Sequence, residues 1–201
     1  MPEPLHPAEV RVLGALLEKE ITTPEYYPLT VNALVNACNQ KSNRDPVVNY
    51  TDEVVQQALA LLRHKGLAVR ISGAGHRVEK YGHLLGEKLN LGRRESALLC
   101  MLMLRGPQTV GELRGRTERM YEFTELADVE HCLESLSTRE PEPLVAPMAR
   151  GRWTHLLSGP PDPTAEEPST PPTDLEHRVT TLEREVADLK QMLESFRRQF
   201  E

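Results

Sequence analysis

The segment LTVNAL at residues 29–34 recurs as QTVGEL at residues 108–113, and this repeat is the main sequence evidence for the fold. The alignment places Val31 on Val110 and keeps a Leu at the end of each segment. Further along, the apolar positions 55, 59 and 62 match 129, 133 and 136, and YGHLL at 81–85 parallels WTHLL at 153–157. The separation falls from 79 to 74 to 72 residues, so the copies differ by loop insertions. An internal repeat of this kind predicts two copies of one small domain.

Each copy is predicted to form three helices followed by a β-hairpin. In the first copy Pro7 can open a helix without losing a hydrogen bond, and Thr51 is followed by two acidic residues that favour a helix N-terminus. The pattern predicts helices from Pro7, about residues 30–38, and Thr51 to Gly66, then strands at 67–71 and 77–81 around a tip at 72–75. The second copy predicts helices at 95–104, 110–116 and 127–137, then strands near Leu144 and Trp153.

This order is the winged helix-turn-helix pattern. We therefore predict a mainly α fold with small β-hairpin wings (α+β), made of two tandem winged helix-turn-helix domains and a C-terminal coiled-coil helix. The predicted boundaries are 1–90 and 91–157 for the domains, 158–173 for a Pro-rich linker and 174–201 for the helix. Residues 97–104 are apolar all round, so this helix is expected to pack against the other repeat or a second chain.

The last helix carries a heptad seam typical of a parallel dimer, with Val at a and Leu at d. A single amphipathic helix that folds back on the body is the alternative. The residues predicted to dimerise the chain are Leu175, Val179, Leu182, Val186, Leu189, Leu193 and Phe196.

One stretch resembles a known family. EKEITTP at 18–24, YPL at 27–29, NAL at 32–34 and NACNQKSNR at 36–44 are similar to the YceH family of bacterial proteins. The resemblance covers about residues 6–157 and implies a tandem winged-helix fold, but it implies no catalytic or ligand residues.

Composition excludes several classes of protein. The chain has 24 basic and 30 acidic residues and a formal charge of −6, and only 4% of it is aromatic. It is therefore not an overtly basic nucleic-acid protein, and it lacks aromatic platforms for single strands. No apolar run is long enough for a membrane span, and no secretory signal is visible at the N-terminus. We expect a cytoplasmic protein.

Catalytic and metal motifs are missing from the sequence. The three Cys form no Cys-x-x-Cys, and the seven His show no metal-ligand spacing. Cys132 lies on an apolar helix, where packing is the usual role of a Cys. We expect no enzymatic activity and no cofactor.

Nucleic-acid binding has to be judged by where the charges fall. The third helix normally enters the major groove, yet here it carries Asp52 and Glu53 in one copy and Glu130 and Glu134 in the other. Basic and amide side chains lie instead on the second-helix loop and on the wings. The candidate nucleic-acid residues are Asn36, Asn39, Gln40, Lys41, Asn43, Arg44, Arg70, Arg77, Lys80, Arg114, Arg116, Arg119, Arg150 and Arg152. A solvated loop and ordinary exposed hairpin charges are the alternative interpretation.

Two hypotheses follow. The first is a homodimer that associates with double-stranded DNA through the wings and the second-helix loop. The second is an adaptor that binds a protein partner through its acidic third helices and the coiled coil, without direct DNA contact.

Overall fold

Helix α1 begins at Pro7, as the sequence predicts, and the rest of the architecture is arranged around it. The computed structural model describes residues 3–71 and 78–161, all within one compact unit. The described residues form seven α-helices and two small antiparallel sheets. The helices are α1 Pro7–Thr22, α2 Val31–Cys38, α3 Asp52–His64, α4 Leu85–Lys88, α5 Arg93–Arg105, α6 Val110–Thr117 and α7 Leu126–Ser137. The strands are β1 Ala68–Ile71, β2 Lys80–His83, β3 Gln108–Thr109, β4 Val145–Met148 and β5 Arg152–His155.

Local capping explains several helix starts. The ring of His6 accepts a hydrogen bond from Ala8 N at 3.2 Å, and Glu9 reaches back to the backbone N–H of His6 at 2.8 Å. Thr30 and Thr109 each cap the helix that follows, so the repeated Thr-Val pair has the same role twice. Thr51 occupies the position before α3, but its side chain makes no capping bond, which corrects part of that prediction.

The repeat is visible in the backbone pairing of both halves. In the first half, Leu29 exchanges two hydrogen bonds with Tyr81 of β2, at 3.0 and 2.7 Å. In the second half, Gln108 of β3 pairs with Trp153 of β5. The sequence alignment matches these two pairs position for position. The same antiparallel pairing therefore precedes α2 and α6, as a single residue in the first half and as strand β3 in the second.

The first hairpin differs in detail from the prediction. Strand β2 is Lys80–His83 rather than 77–81, and its register pairs Ala68 with His83 and Ile71 with Lys80 of the hairpin. The predicted tip at 72–75 lies outside the described residues. The short helix α4 and strand β3 were not predicted.

The two halves share one hydrophobic core. Helix α5 is buried from Ser96 to Leu104 and packs against α1. The sequence predicts that this apolar helix packs against the other repeat or a second chain, and the structure shows it packed against the other repeat. The helices come close at Gly14, whose carbonyl accepts a hydrogen bond from Cys100 Sγ at 3.4 Å. A Cβ at position 14 would lie 2.9 Å from Leu104 Cδ2 and 3.2 Å from Met103 Cβ.

We predict that Gly14→Ala destabilises the protein by about 1–3 kcal/mol, because the added methyl overpacks a contact between two buried helices. The matched control is Gly115→Ala, in α6, where an added Cβ meets nothing within 4 Å. This control should be neutral or stabilising by about 0.5–1 kcal/mol, since Ala favours the helix. Urea unfolding measures both. Equal midpoints for the two variants would contradict the close contact of α1 with α5.

Candidate nucleic-acid interface

The loop after α2 is closed by an amide side chain. Asn39 Nδ2 donates to Tyr50 O at 2.8 Å, and Tyr50 N donates to Asn39 Oδ1 at 2.8 Å. These two bonds join the ends of the loop that leads to α3. Asn39, a candidate for base recognition, therefore has its amide engaged in loop closure.

Arg44 lies inside the protein rather than on its surface. Its side chain is fully buried, and Nη2 is 2.5 Å from Glu18 Oε2 of α1. Nε and Nη2 also donate to Ala37 O, at 3.1 and 2.9 Å. A guanidinium held in this way is not presented to a phosphate. The structure thus corrects the prediction of Arg44 as a DNA contact and makes it an anchor of the loop.

A second buried arginine, which the sequence analysis missed, supports the same loop. Arg11 of α1 donates to Pro46 O at 2.7 Å and to Cys38 O at 3.4 Å. Burial, and then the nearby charge of Arg44, lower the pKa of Arg11. The available signal was a charged residue within the apolar run from Val10 to Leu17.

Other candidates in this loop face solvent. Asn36, Lys41 and Asn43 are exposed, and Gln40 is half-buried. Asn43 adopts a positive φ of 58°, which Asn tolerates better than most residues. Its Oδ1 accepts a hydrogen bond from Arg105 Nη1 at the end of α5, at 3.2 Å. The loop is therefore joined to the second half of the molecule.

Arginines of the second half lie near the loop after α2. Arg116 Nη1 donates to Gln108 Oε1 at 2.8 Å, and Arg116 Nη2 lies 3.1 Å from Glu112. Arg114 is exposed while its Nε donates to Phe123 O at 3.3 Å, and Arg119 is exposed just after α6.

A cleft of about 150 Å³ lies between these two sets of residues. We call it the junction cleft, since its walls come from both halves. It is lined by Glu18, Lys19, Thr22, Gln40, Ser42, Asn43, Met101, Arg116, Arg119 and Met120. Residues that the sequence assigned to separate copies thus lie on one surface.

Positive charge accumulates around the cleft. The pKa of Arg105 is lowered first by burial and then by the charge of Arg116. Burial acts to raise the pKa of Glu112, but the backbone hydrogen bond from Thr109 and the charges of Arg116 and Arg152 lower it overall. The charges of Asp45 and Glu112 act in the opposite direction on the pKa of Arg105 and offset part of this repulsion.

The hairpin candidates are placed differently. Arg70 Nη1 is 2.6 Å from Glu79 across the first hairpin, and Lys80 is half-buried. In the second hairpin Arg152 donates to Pro107 O at 3.1 Å, while Arg150 is exposed at a φ of 58°. Arg77 lies outside the described residues, as do the seven predicted dimerisation residues of the tail.

The third helix of each half turns acidic groups outward. Asp52 and Glu53 are exposed at the start of α3, and Glu130 and Glu134 are exposed on α7. Phosphates are repelled by such a face. The junction cleft and these helices are thus electrostatically opposite surfaces.

The next features of the described residues concern metal binding and thiol reactivity. Among residues 3–71 and 78–161, no three His, Cys, Asp or Glu side chains are grouped to hold a metal ion. Burial raises the pKa of the Cys132 thiol to about 11 and that of Cys38 to about 12. No helix within these residues is long and apolar enough to cross a membrane.

Comparison with known proteins gives a family match. Residues 5–152 match the family described as "Protein of unknown function, DUF480". A UPF0502 protein of Solibacter usitatus is 53% identical over 206 residues, covering 98% of each chain. Those of Opitutus terrae and Geobacter sulfurreducens are 50% and 48% identical, and the alignments cover 92% and 98% of this chain and 83% and 98% of theirs. These names carry no activity.

We predict that Arg44→Ala lowers the free energy of unfolding by about 3–5 kcal/mol, because the largely buried Glu18 carboxylate would lose both hydrogen bonds from Arg44 and keep only Lys19, at 3.6 Å. The matched control is Lys41→Ala, three residues earlier and exposed, which should change stability by less than about 0.5 kcal/mol. Chemical unfolding distinguishes them. If Arg44→Ala unfolds like the wild type, the buried pair does not anchor the loop.

Proposed function

The chain belongs to DUF480, a family of unknown function, and we propose that this member is a tandem winged-helix protein that associates with double-stranded DNA. The observation that carries the proposal is the junction cleft, where the loop after α2 and the arginines after α6 form one basic surface. The resemblance to the YceH family stays a prediction that agrees with this fold.

The repeated backbone pairing supports the winged-helix assignment. Each half has a helix, a bridging residue or strand, two further helices and a two-stranded hairpin. The bridging residues, Leu29 and Gln108, both pair with the second strand of their hairpin. The repetition of this order of elements supports a tandem winged-helix arrangement.

The charge distribution favours an unusual docking mode. In a standard winged helix the third helix enters the major groove, but α3 and α7 are acidic on their exposed sides. We assign the phosphate contacts to Lys41, Arg105, Arg116 and Arg119, and a further contact to the exposed Arg150 of the second hairpin. Asn36, Gln40 and Asn43 supply amides that can bond to phosphates or base edges.

Affinity would depend on the number of copies. Residues 1–157 are almost neutral, with 19 basic and 20 acidic side chains, so one copy offers only a local patch. In the proposal the heptad seam at 175–196 pairs two chains. A dimer binds two DNA segments at a high effective concentration, which offsets the weakness of each patch.

A protein-binding adaptor is the second candidate. It is favoured by the outward face of α7, where Leu126 is 46% exposed beside a row of acidic residues. A basic partner helix with one apolar anchor would fit this face. Under this alternative, Glu130→Lys with Glu134→Lys removes the partner, while duplex DNA is not bound at all.

The test is duplex binding by fluorescence anisotropy, measured as a function of salt for the wild type and for Lys41→Ala/Arg119→Ala. Each lost phosphate contact should reduce the slope of log K against log salt by about 0.9, so the double variant should lose about 1.8. The loss of affinity should be similar for unrelated duplex sequences, because phosphates carry no sequence information.

Arg94→Ala is the matched control for charge. Arg94 is exposed near the start of α5, roughly 16 Å along the helix from Arg105, at 1.5 Å per residue. It should keep the wild-type slope. A double variant that binds with unchanged slope contradicts the proposed surface, and a wild type that does not bind at about 50 mM salt favours the adaptor.

A further inference from the structure

The junction cleft has a second property that DNA binding does not use. Its wall is polar and cationic, with Lys19, Arg116 and Arg119, while Met101 and Met120 line it as apolar groups. Met101 and Met120 are almost fully buried. A cleft with a cationic side and an apolar side matches a ligand that has both characters.

We propose that the junction cleft binds a small organic carboxylate with an apolar body, the class to which a single-ring aromatic acid belongs. This binding site goes beyond DNA association and does not depend on it. The carboxylate would pair with Arg119, and the ring would lie against the two methionines.

The size of the cleft sets an upper limit on the ligand. A volume of about 150 Å³ is below that of sites for drug-sized ligands. Benzene enters an apolar protein cavity of roughly this volume. One ring with one carboxylate is therefore near the largest ligand that fits inside. Methionine side chains adapt their shape to such a ring and make favourable sulfur–aromatic contacts.

The charge balance favours a single negative charge over two. Glu18 also lines the cleft, and its carboxylate pairs with Arg44 at 2.5 Å and with Lys19 at 3.6 Å. Arg116 is already shared with Glu112 and Gln108. A phosphate dianion would meet more repulsion from Glu18 than a carboxylate does, and it would gain nothing from the methionines. An arginine guanidinium binds a carboxylate with two parallel hydrogen bonds.

The position of the cleft gives the ligand a structural effect. Helix α1, the loop after α2 and the end of α6 all contribute to its walls. A bound acid would therefore connect the two halves of the molecule. Binding should stabilise the folded chain, and the gain should rise with the logarithm of the ligand concentration once that concentration exceeds the Kd.

The two methionines allow a direct test on the full-length protein without DNA. The chain has six Met, so methyl NMR with labelled methionine resolves the site from internal references such as Met103 and Met148. The probes are benzoate, its neutral analogue benzamide, and inorganic phosphate. We expect benzoate to shift the Met101 and Met120 methyls saturably and to bind at least tenfold more tightly than benzamide or phosphate.

Two variants make the test specific. Arg119→Gln should weaken benzoate at least tenfold, and Ser42→Phe should block it by filling the cleft without changing charge. Arg94→Gln is the charge control and should bind as the wild type does. The reference methyls report whether each variant is folded. Binding of benzamide or phosphate as tight as that of benzoate overturns the proposal, and so does the absence of shifts at about 10 mM benzoate or wild-type affinity in Arg119→Gln.

Discussion

The packing of α1 against α5 is the constraint on which the other features of this protein depend. Two buried helices, one from each half, can approach closely because Gly14 has no side chain where Leu104 and Met103 lie. The close approach of α1 and α5 also determines where neighbouring segments lie. It sets the end of α5 beside the loop after α2, where Asp45 N donates to Leu104 O at 3.0 Å. The basic groups of both halves then share one edge of the molecule.

The arginines of this edge divide into two kinds with different energetics. Arg11 and Arg44 are buried. Both donate hydrogen bonds to backbone carbonyls, and Arg44 also pairs with Glu18. Such groups are costly to desolvate and are retained when every donor has a partner. Lys41 and Arg119 are exposed and contribute little to folding. The first kind shapes the surface, and the second is presented to a ligand.

Much of the fold could be predicted from the sequence, because the internal repeat allows each half of the chain to be checked against the other. The starts of α1, α2 and α6 follow from Pro7 and from two Thr-Val pairs, and Gly66, at a φ of 67°, ends the third helix. The bridging strand β3 was missed because two residues are too few to show a period. Helix α4 was missed for the same reason. The pairing of Leu29 with Tyr81 joins residues some 50 positions apart, and no local pattern shows it.

The site was predictable only in part. Sequence identified the basic loop and the basic turn after α6, but it treated every arginine there as exposed. The burial of Arg44 depends on Glu18, 26 residues earlier, and no local pattern shows such a pair. The same holds for Arg105, whose bond to Asn43 joins the two halves. The contacts between the two repeats depend on how the repeats pack. An alignment of one repeat with the other does not show that packing.

Hydrogen exchange of the full-length protein, with and without a saturating duplex at low salt, measures whether one surface built from both halves contacts DNA. If it does, DNA slows exchange in residues 39–45 and 110–121 together and leaves α3 and α7 unchanged. Protection confined to α3 or α7, or to one half alone, would rule out the proposed surface.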